Sequence, residues 1–142
     1  MTPAFGDVAV GDVLPPLTYQ VTRKQLVQYA GAAGDFNAIH WNQRVATEVG
    51  LPDVIAHGMF TMASAGRVVT DWLGDPGLVK QFEVRFTRPV VVPDDEDGAE
   101  VEVTAVIGAL DADARTVRVD ITSRFKGQTV LGKARILVAL PA

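Results

Sequence analysis

The segment after Ala56-His57-Gly58 is apolar almost all the way round a helix, and no other stretch narrows the fold as much. Met59, Met62, Ala63, Gly66, Val69, Thr70 and Leu73 repeat at the helical period, while Phe60, Ala65, Val68 and Trp72 make the other side apolar too. Arg67 and Asp71 are the only charges inside it. Such a helix needs cover on more than one side, so it belongs in the middle of a fold. Cover follows at once. From Leu78 the period becomes twofold: Phe82, Val84 and Phe86, then Val101, Val103, Ala105 and Ile107, alternate with mostly polar residues. Val117, Val119, Ile121, Ser123 and Phe125 do the same, and Val130, Gly132, Ala134, Ile136 and Val138 share one face of a last strand. Asp- and Gly-rich turns separate these strands, including the acidic run Asp94 to Asp97, read as a solvated loop tip.

The first half is read from its punctuation. Residues 1–16 hold Gly6, Gly11, Pro15 and Pro16 and are expected to run over the surface; a short strand is expected from Leu17 to Val21. Thr22, with Gln25 three positions on, forms a capping box for a helix over Arg23 to Ala33, ended by Gly34. The compact loop Asp35 to His40 follows, and Asn42 caps a second short helix that Gly50 and Pro52 terminate. The expectation is an α+β chain, one domain over residues 1–142, with a single antiparallel sheet wrapped around a central apolar helix. That arrangement is the hotdog fold. Its sheet edges and partly apolar flank make dimerisation the natural outcome.

Composition excludes several functions. With 17 acidic against 13 basic residues and a net charge of −4, the chain lacks the basic footprint of a nucleic-acid binder. There is no Cys, which removes disulfides, thiolate zinc sites and Cys nucleophiles. No run reaches the ~18 apolar residues of a membrane span, and the N-terminus shows no leader pattern, so a cytoplasmic location is expected. Phosphate-binding glycine loops are absent, and two histidines without metal-ligand spacing favour neither a metal nor a cofactor.

Two histidines remain as chemistry. Asp35 and His40 are five residues apart in a turn-forming loop, close enough to flank one small molecule and pass protons to and from a water between them. The alternative is that Asp35 caps a turn and His40 is a satisfied core residue. Gly58 opens the apolar helix, so its N–H is an unpaired donor at a positive helix end, with no side chain to keep a carbonyl away. It is equally consistent with a simple turn into the helix. His57, beside the same helix end, is biased toward neutrality and is taken as structural.

The stretch Tyr29-Ala-Gly-Ala-Ala-Gly-Asp35-Phe-Asn37-Ala-Ile-His40-Trp-Asn42, followed by Ile55-Ala56-His57-Gly58-Met59, resembles the two motifs of the MaoC-like (R)-specific enoyl hydratase family. Ala38 departs from the Pro usual there, which loosens the loop without touching a proton-transfer group. Further likeness in Gly11-Asp12-Val13-Leu14-Pro15, His40-Trp41, Val49-Gly50-Leu51 and Trp72 to Gly77 points toward the catalytic B-type subunits of mycobacterial (3R)-hydroxyacyl-ACP dehydratases. The resemblance implies Asp35 and His40 as the catalytic dyad, the Gly58 N–H as oxyanion donor and Asn37 as dyad support. It also implies an acyl thioester on acyl carrier protein or CoA, a role in type II fatty acid synthesis, and a homodimer or a heterodimer with a related non-catalytic hotdog subunit. On that reading His40 removes the Cα proton of an (R)-3-hydroxyacyl thioester and Asp35 protonates the departing hydroxyl. A hotdog thioesterase would use Asp35 but not His40, and a non-catalytic partner subunit would need neither.

Overall fold

The computed structural model describes every residue from Met1 to Ala142. Three α-helices, α1 (Arg23–Ala33), α2 (Gln43–Glu48) and α3 (Gly58–Leu73), accompany six strands. The strands are β1 (Leu17–Val21), β2 (Val79–Phe86), β3 (Ala99–Asp111), β4 (Thr116–Phe125), β5 (Gln128–Thr129) and β6 (Leu131–Ala139). All pair antiparallel in one sheet of order β1-β3-β4-β6-β2, with the short β5 against β4. α3 touches all five strands of that path, so the sheet does wrap around it as the hotdog arrangement requires. No helix is long and apolar enough to cross a membrane.

Local signals are realised atom by atom. Gln25 N donates to Thr22 Oγ1 at 3.4 Å and Thr22 N donates to Gln25 Oε1 at 2.8 Å, closing the capping box. Asn42 Oδ1 accepts from Val45 N at 3.2 Å at the start of α2. Gly34 ends α1 with φ 71°, a left-handed conformation that glycine adopts without a Cβ penalty. On β3, Val101, Val103, Ala105 and Ile107 are buried while Glu102, Thr104 and Val106 face outward.

Three expectations need correction. The helix α3 is not enclosed: Met59, Ala63, Arg67 and Asp71 form an exposed stripe, and the buried side is Thr61, Ala65, Gly66, Val68, Val69 and Leu73. The sheet covers one side of a helix, whatever the composition of the other. The first 16 residues do not merely cross the surface. Leu14 is buried in the core, Phe5 and Val8 pack on it, and Leu14 N donates to Ala105 O at 3.0 Å, so the segment continues the sheet beyond β1. Finally, β6 does not keep one period. An extra residue near Lys133 (φ 46°) shifts its register against β2, and Leu131 is buried instead of Gly132.

Gly98 secures the entry into β3 beside the end of β1. It has φ +69°, and a Cβ there would overlap the Val21 carbonyl oxygen, which no side-chain rotation relieves. Gly98→Ala is expected to destabilise the fold by about 3 kcal/mol or more, read from denaturant midpoints. Gly127, at φ +73° with open space around it, supplies the control. Gly127→Ala should lose only about 1–2 kcal/mol. Equal losses would mean that backbone conformation, not crowding, sets the effect.

Candidate active site

The loop between α1 and α2 holds Asp35 and His40 through bonds spanning two or three residues. Asn37 N donates to Asp35 Oδ1 at 3.2 Å, and Asn37 Oδ1 accepts from Ile39 N at 3.3 Å, capping a 3-10 turn over Ala38–His40. Asn37 therefore steadies both partners, the carboxylate through its N–H and the imidazole through the turn. Ala38 is the first residue of that turn, where a proline also fits because the missing N–H would have no partner inside the turn. Trp41 Nε1 donates to Phe36 O at 3.0 Å across the same loop.

Longer-range ties place the loop. His40 Nδ1 lies 2.7 Å from Ile55 O, and Ile55 N donates to Ile39 O at 3.2 Å. The 54–56 segment is itself paired with 90–92, since Ala56 N donates to Val90 O and Val92 N to Val54 O, each at 2.9 Å. Arg23 anchors this layer to α1, bonding Asp53 Oδ1 at 2.9 Å and Val92 O at 2.6 Å. Because a carbonyl only accepts, His40 must carry its proton on Nδ1, which leaves the Nε2 lone pair free to take another.

His57 sits directly against His40. The rings stack with centroids 3.8 Å apart and an interplanar angle of 23°. His57 Nε2 is 3.1 Å from the Asp35 backbone carbonyl, so that nitrogen holds the proton and donates it. The other nitrogen, Nδ1, is buried without a partner. Tyr29 packs edge-on at 4.8 Å. One ligand-type atom from each of Asp35, His40 and His57 falls within 4.8 Å of the others. Each histidine donates one ring N–H to a carbonyl, which leaves its other nitrogen with a free lone pair.

Burial pushes the His57 pKa below its ordinary 6.5, and the neighbouring His40 acts the same way. The bond to the Asp35 carbonyl and the Asp35 charge oppose this without cancelling it. The unfolded chain then binds more protons at this position than the folded one, so stability must rise with pH through that window. The contribution is present in full above about 6.5 and is lost as pH falls toward the depressed folded value. We expect the melting temperature to drop on going from about pH 8 to about pH 5 more steeply in the natural protein than in His57→Gln. Parallel curves would remove His57 as the cause.

Beside His40 lies a cleft of about 290 Å³, lined by Ile55, Gly58, Thr61, Phe86, Arg88 and Val130 among others. Gly58 is the first residue of α3, and the N–H of a first helical residue has no partner within the helix. A Cβ on Gly58 would stand 3.0 Å from the Phe86 ring, so packing is itself a reason for a glycine here. Asp35 is outside the lining and exposed, whereas both histidines are buried. The sequence did not mark Ile55, Thr61, Phe86, Arg88 or Val130 as site residues. Nothing in their local pattern separates them from other helix, strand and turn residues.

A fold with one sheet around α3, an Asp-x-Asn-x-x-His loop and a His-Gly helix start can be compared with known proteins. The sequence profile of the MaoC like domain matches residues 8–125. The chain belongs to the MaoC-like family. A relative in Mycobacterium tuberculosis, the 3-hydroxyacyl-thioester dehydratase X, is 37% identical over 56% of this chain and 27% of its own length. The 3-oxo-4,17-pregnadiene-20-carboxyl-CoA hydratase beta subunit of the same organism is 30% identical and covered over 87% of both chains. Among solved structures, a MaoC-like dehydratase superposes with TM-score 0.94 at 43% identity, over 98% of this chain and 42% of that one. An (R)-hydratase from A. caviae shares the fold, with TM-score 0.82 at 21% identity, over 94% of this chain and 98% of that one. This chain thus spans about a quarter of dehydratase X and under half of the solved dehydratase chain.

Proposed function

We propose that this MaoC-like chain interconverts (R)-3-hydroxyacyl and trans-2-enoyl thioesters, as a hydro-lyase of type II fatty acid synthesis. The observation that supports it most is the tautomer imposed on His40. With Nδ1–H held by Ile55 O, Nε2 is left free on a ring that lines the cleft, with the Asp35 carboxylate close by and Gly58, the first residue of α3, in the same lining. In dehydration, His40 Nε2 takes the Cα proton and the electron pair moves into the thioester, whose oxygen gathers charge at the Gly58 N–H. The C3–O bond then breaks as the enolate pair returns to close the C2–C3 double bond and Asp35, in its carboxylic acid form, delivers its proton to the hydroxyl, which leaves as water. Passing the proton from His40 back to Asp35 resets the pair, and hydration runs the same steps in reverse. No cofactor enters this chemistry. Crotonyl-CoA hydration, followed as loss of the enoyl-thioester absorbance, tests the reading. Release of free CoA thiol instead would favour a thioesterase, and inactivity toward both would favour a non-catalytic subunit.

The same reading extends to assembly. Phe36, Trp41, Met59 and Phe86 are each at least half exposed, and they lie around the dyad and its cleft. A monomer gains nothing from apolar side chains in water at a site meant to exclude it, whereas a second hotdog subunit would cover them. A neighbour of the same fold is the ChsH1-ChsH2 complex from Mycobacterium tuberculosis, 22% identical with TM-score 0.80. Light scattering at about micromolar concentration is expected to show a dimer of this chain, or a dimer formed only with a related hotdog partner. A fully active monomer would overturn the assembly. The acyl group is carried on acyl carrier protein or CoA, and turnover of both carriers at several chain lengths distinguishes them.

A further inference from the structure

We propose that His57 is a positioning residue for this reaction, a strut that holds both halves of the Asp35–His40 pair through two different features of one ring. The inference rests on the hydro-lyase reading above. The edge of the ring donates from Nε2 to the Asp35 carbonyl at 3.1 Å, tying the exposed loop after Gly34 to the start of α3. The face of the ring stacks on His40 at 3.8 Å. His57 is itself clamped: it is 1% exposed, its backbone is fixed at the N-cap position of α3, and it meets the Tyr29 ring of α1 edge-on at 4.8 Å. Movement of His57 therefore displaces the carboxylate loop and the base together.

A filler residue does not account for this ring. Leucine is of similar size and would leave no orphan atom, whereas the imidazole keeps a buried Nδ1 with no partner. What leucine lacks is the Nε2–H directed at Asp35 and the flat face under His40. The titratable or polar groups facing the ring are Asp35, His40 and Tyr29, and none of them supplies Nδ1 with a bond.

Three substitutions separate positioning from mere support. Glutamine has its amide nitrogen as many bonds from Cα as His57 Nε2, so His57→Gln can still reach the Asp35 carbonyl. Asparagine falls one bond short, and leucine has no donor. We expect His57→Leu and His57→Asn to lower kcat by about tenfold or more with a smaller change in KM, and His57→Gln to recover most of that loss. In an Asp35→Asn background the loss from His57→Leu should shrink to about threefold or less, because the strut then has only His40 left to place. Multiplicative losses in that cycle, or equal activity of the Gln and Asn variants, would overturn the proposal. Should the leucine variant not fold, the Gln and Asn pair decides alone. An Asp35→Asn enzyme that is itself near normal would overturn the dyad, and the strut with it. An inactive Asp35→Asn beside a fully active His57→Leu would overturn the strut and leave the dyad standing.

Discussion

Asp35→Asn and His40→Ala are each expected to lower turnover by ~10²-fold or more, because on the proposed mechanism each removes a group that must take or give a proton. The two variants differ in what else they disturb. Asp35 is exposed, and its Oδ1 only accepts the Asn37 N–H. An asparagine oxygen accepts the same bond, so the loop keeps its shape and the loss belongs to the chemistry. His40 is buried, and truncating it leaves the Ile55 carbonyl without its 2.7 Å donor. That should cost about 1–3 kcal/mol of stability in addition to turnover. Both variants are therefore read as kcat of folded protein, with melting temperature measured alongside. Turnover near normal in either folded variant removes the dyad.

Gly58→Val is expected to lower kcat/KM by about 10²-fold, comparable with the loss of one oxyanion donor. The first atom added stands 3.0 to 3.3 Å from the Phe86 ring, tighter than a relaxed contact. Phe86 is 56% exposed, so its ring can retreat by the few tenths of an ångström that one methyl needs. Valine adds two further carbons beside the N–H where the thioester oxygen is to sit, within a cleft of only about 290 Å³. Gly58→Ala then becomes the informative companion, since it tests Phe86 packing with little blockage of the cleft. A Val variant with unchanged kinetics would place the oxyanion site elsewhere. An Ala variant as impaired as Val would move the explanation to helix packing.

Much of the outline was legible because it depends on neighbours in sequence. The Thr22–Gln25 box, the Asn42 cap and the left-handed Gly34 each involve atoms no more than three residues apart. The alternation on β3 and β4 reports a local fact as well, that successive side chains point to opposite faces. The candidate pair shares this advantage. Asp35 and His40 lie in one short loop whose Asx bond and 3-10 turn are formed by Asp35 and Asn37 themselves.

What the tertiary structure alone decided is everything that joins distant parts of the chain. The period of α3 marks which residues share a face, but burial is non-directional, so it does not say that Met59 and Ala63 stay uncovered. Leu14 enters the core because the strand beside it has backbone groups to pair, a demand invisible in a Gly- and Pro-rich segment. His57 was read as structural, and its ring proved to lie against His40, 17 positions earlier in the chain. The proton on His40 Nδ1 depends on Ile55 O, and the cleft depends on Phe86, Arg88 and Val130. Each of those residues satisfies ordinary local rules for a strand or turn. Which of them border the cleft beside His40 is settled only when the sheet closes around α3, because only then do distant backbone carbonyls and rings come within bonding distance.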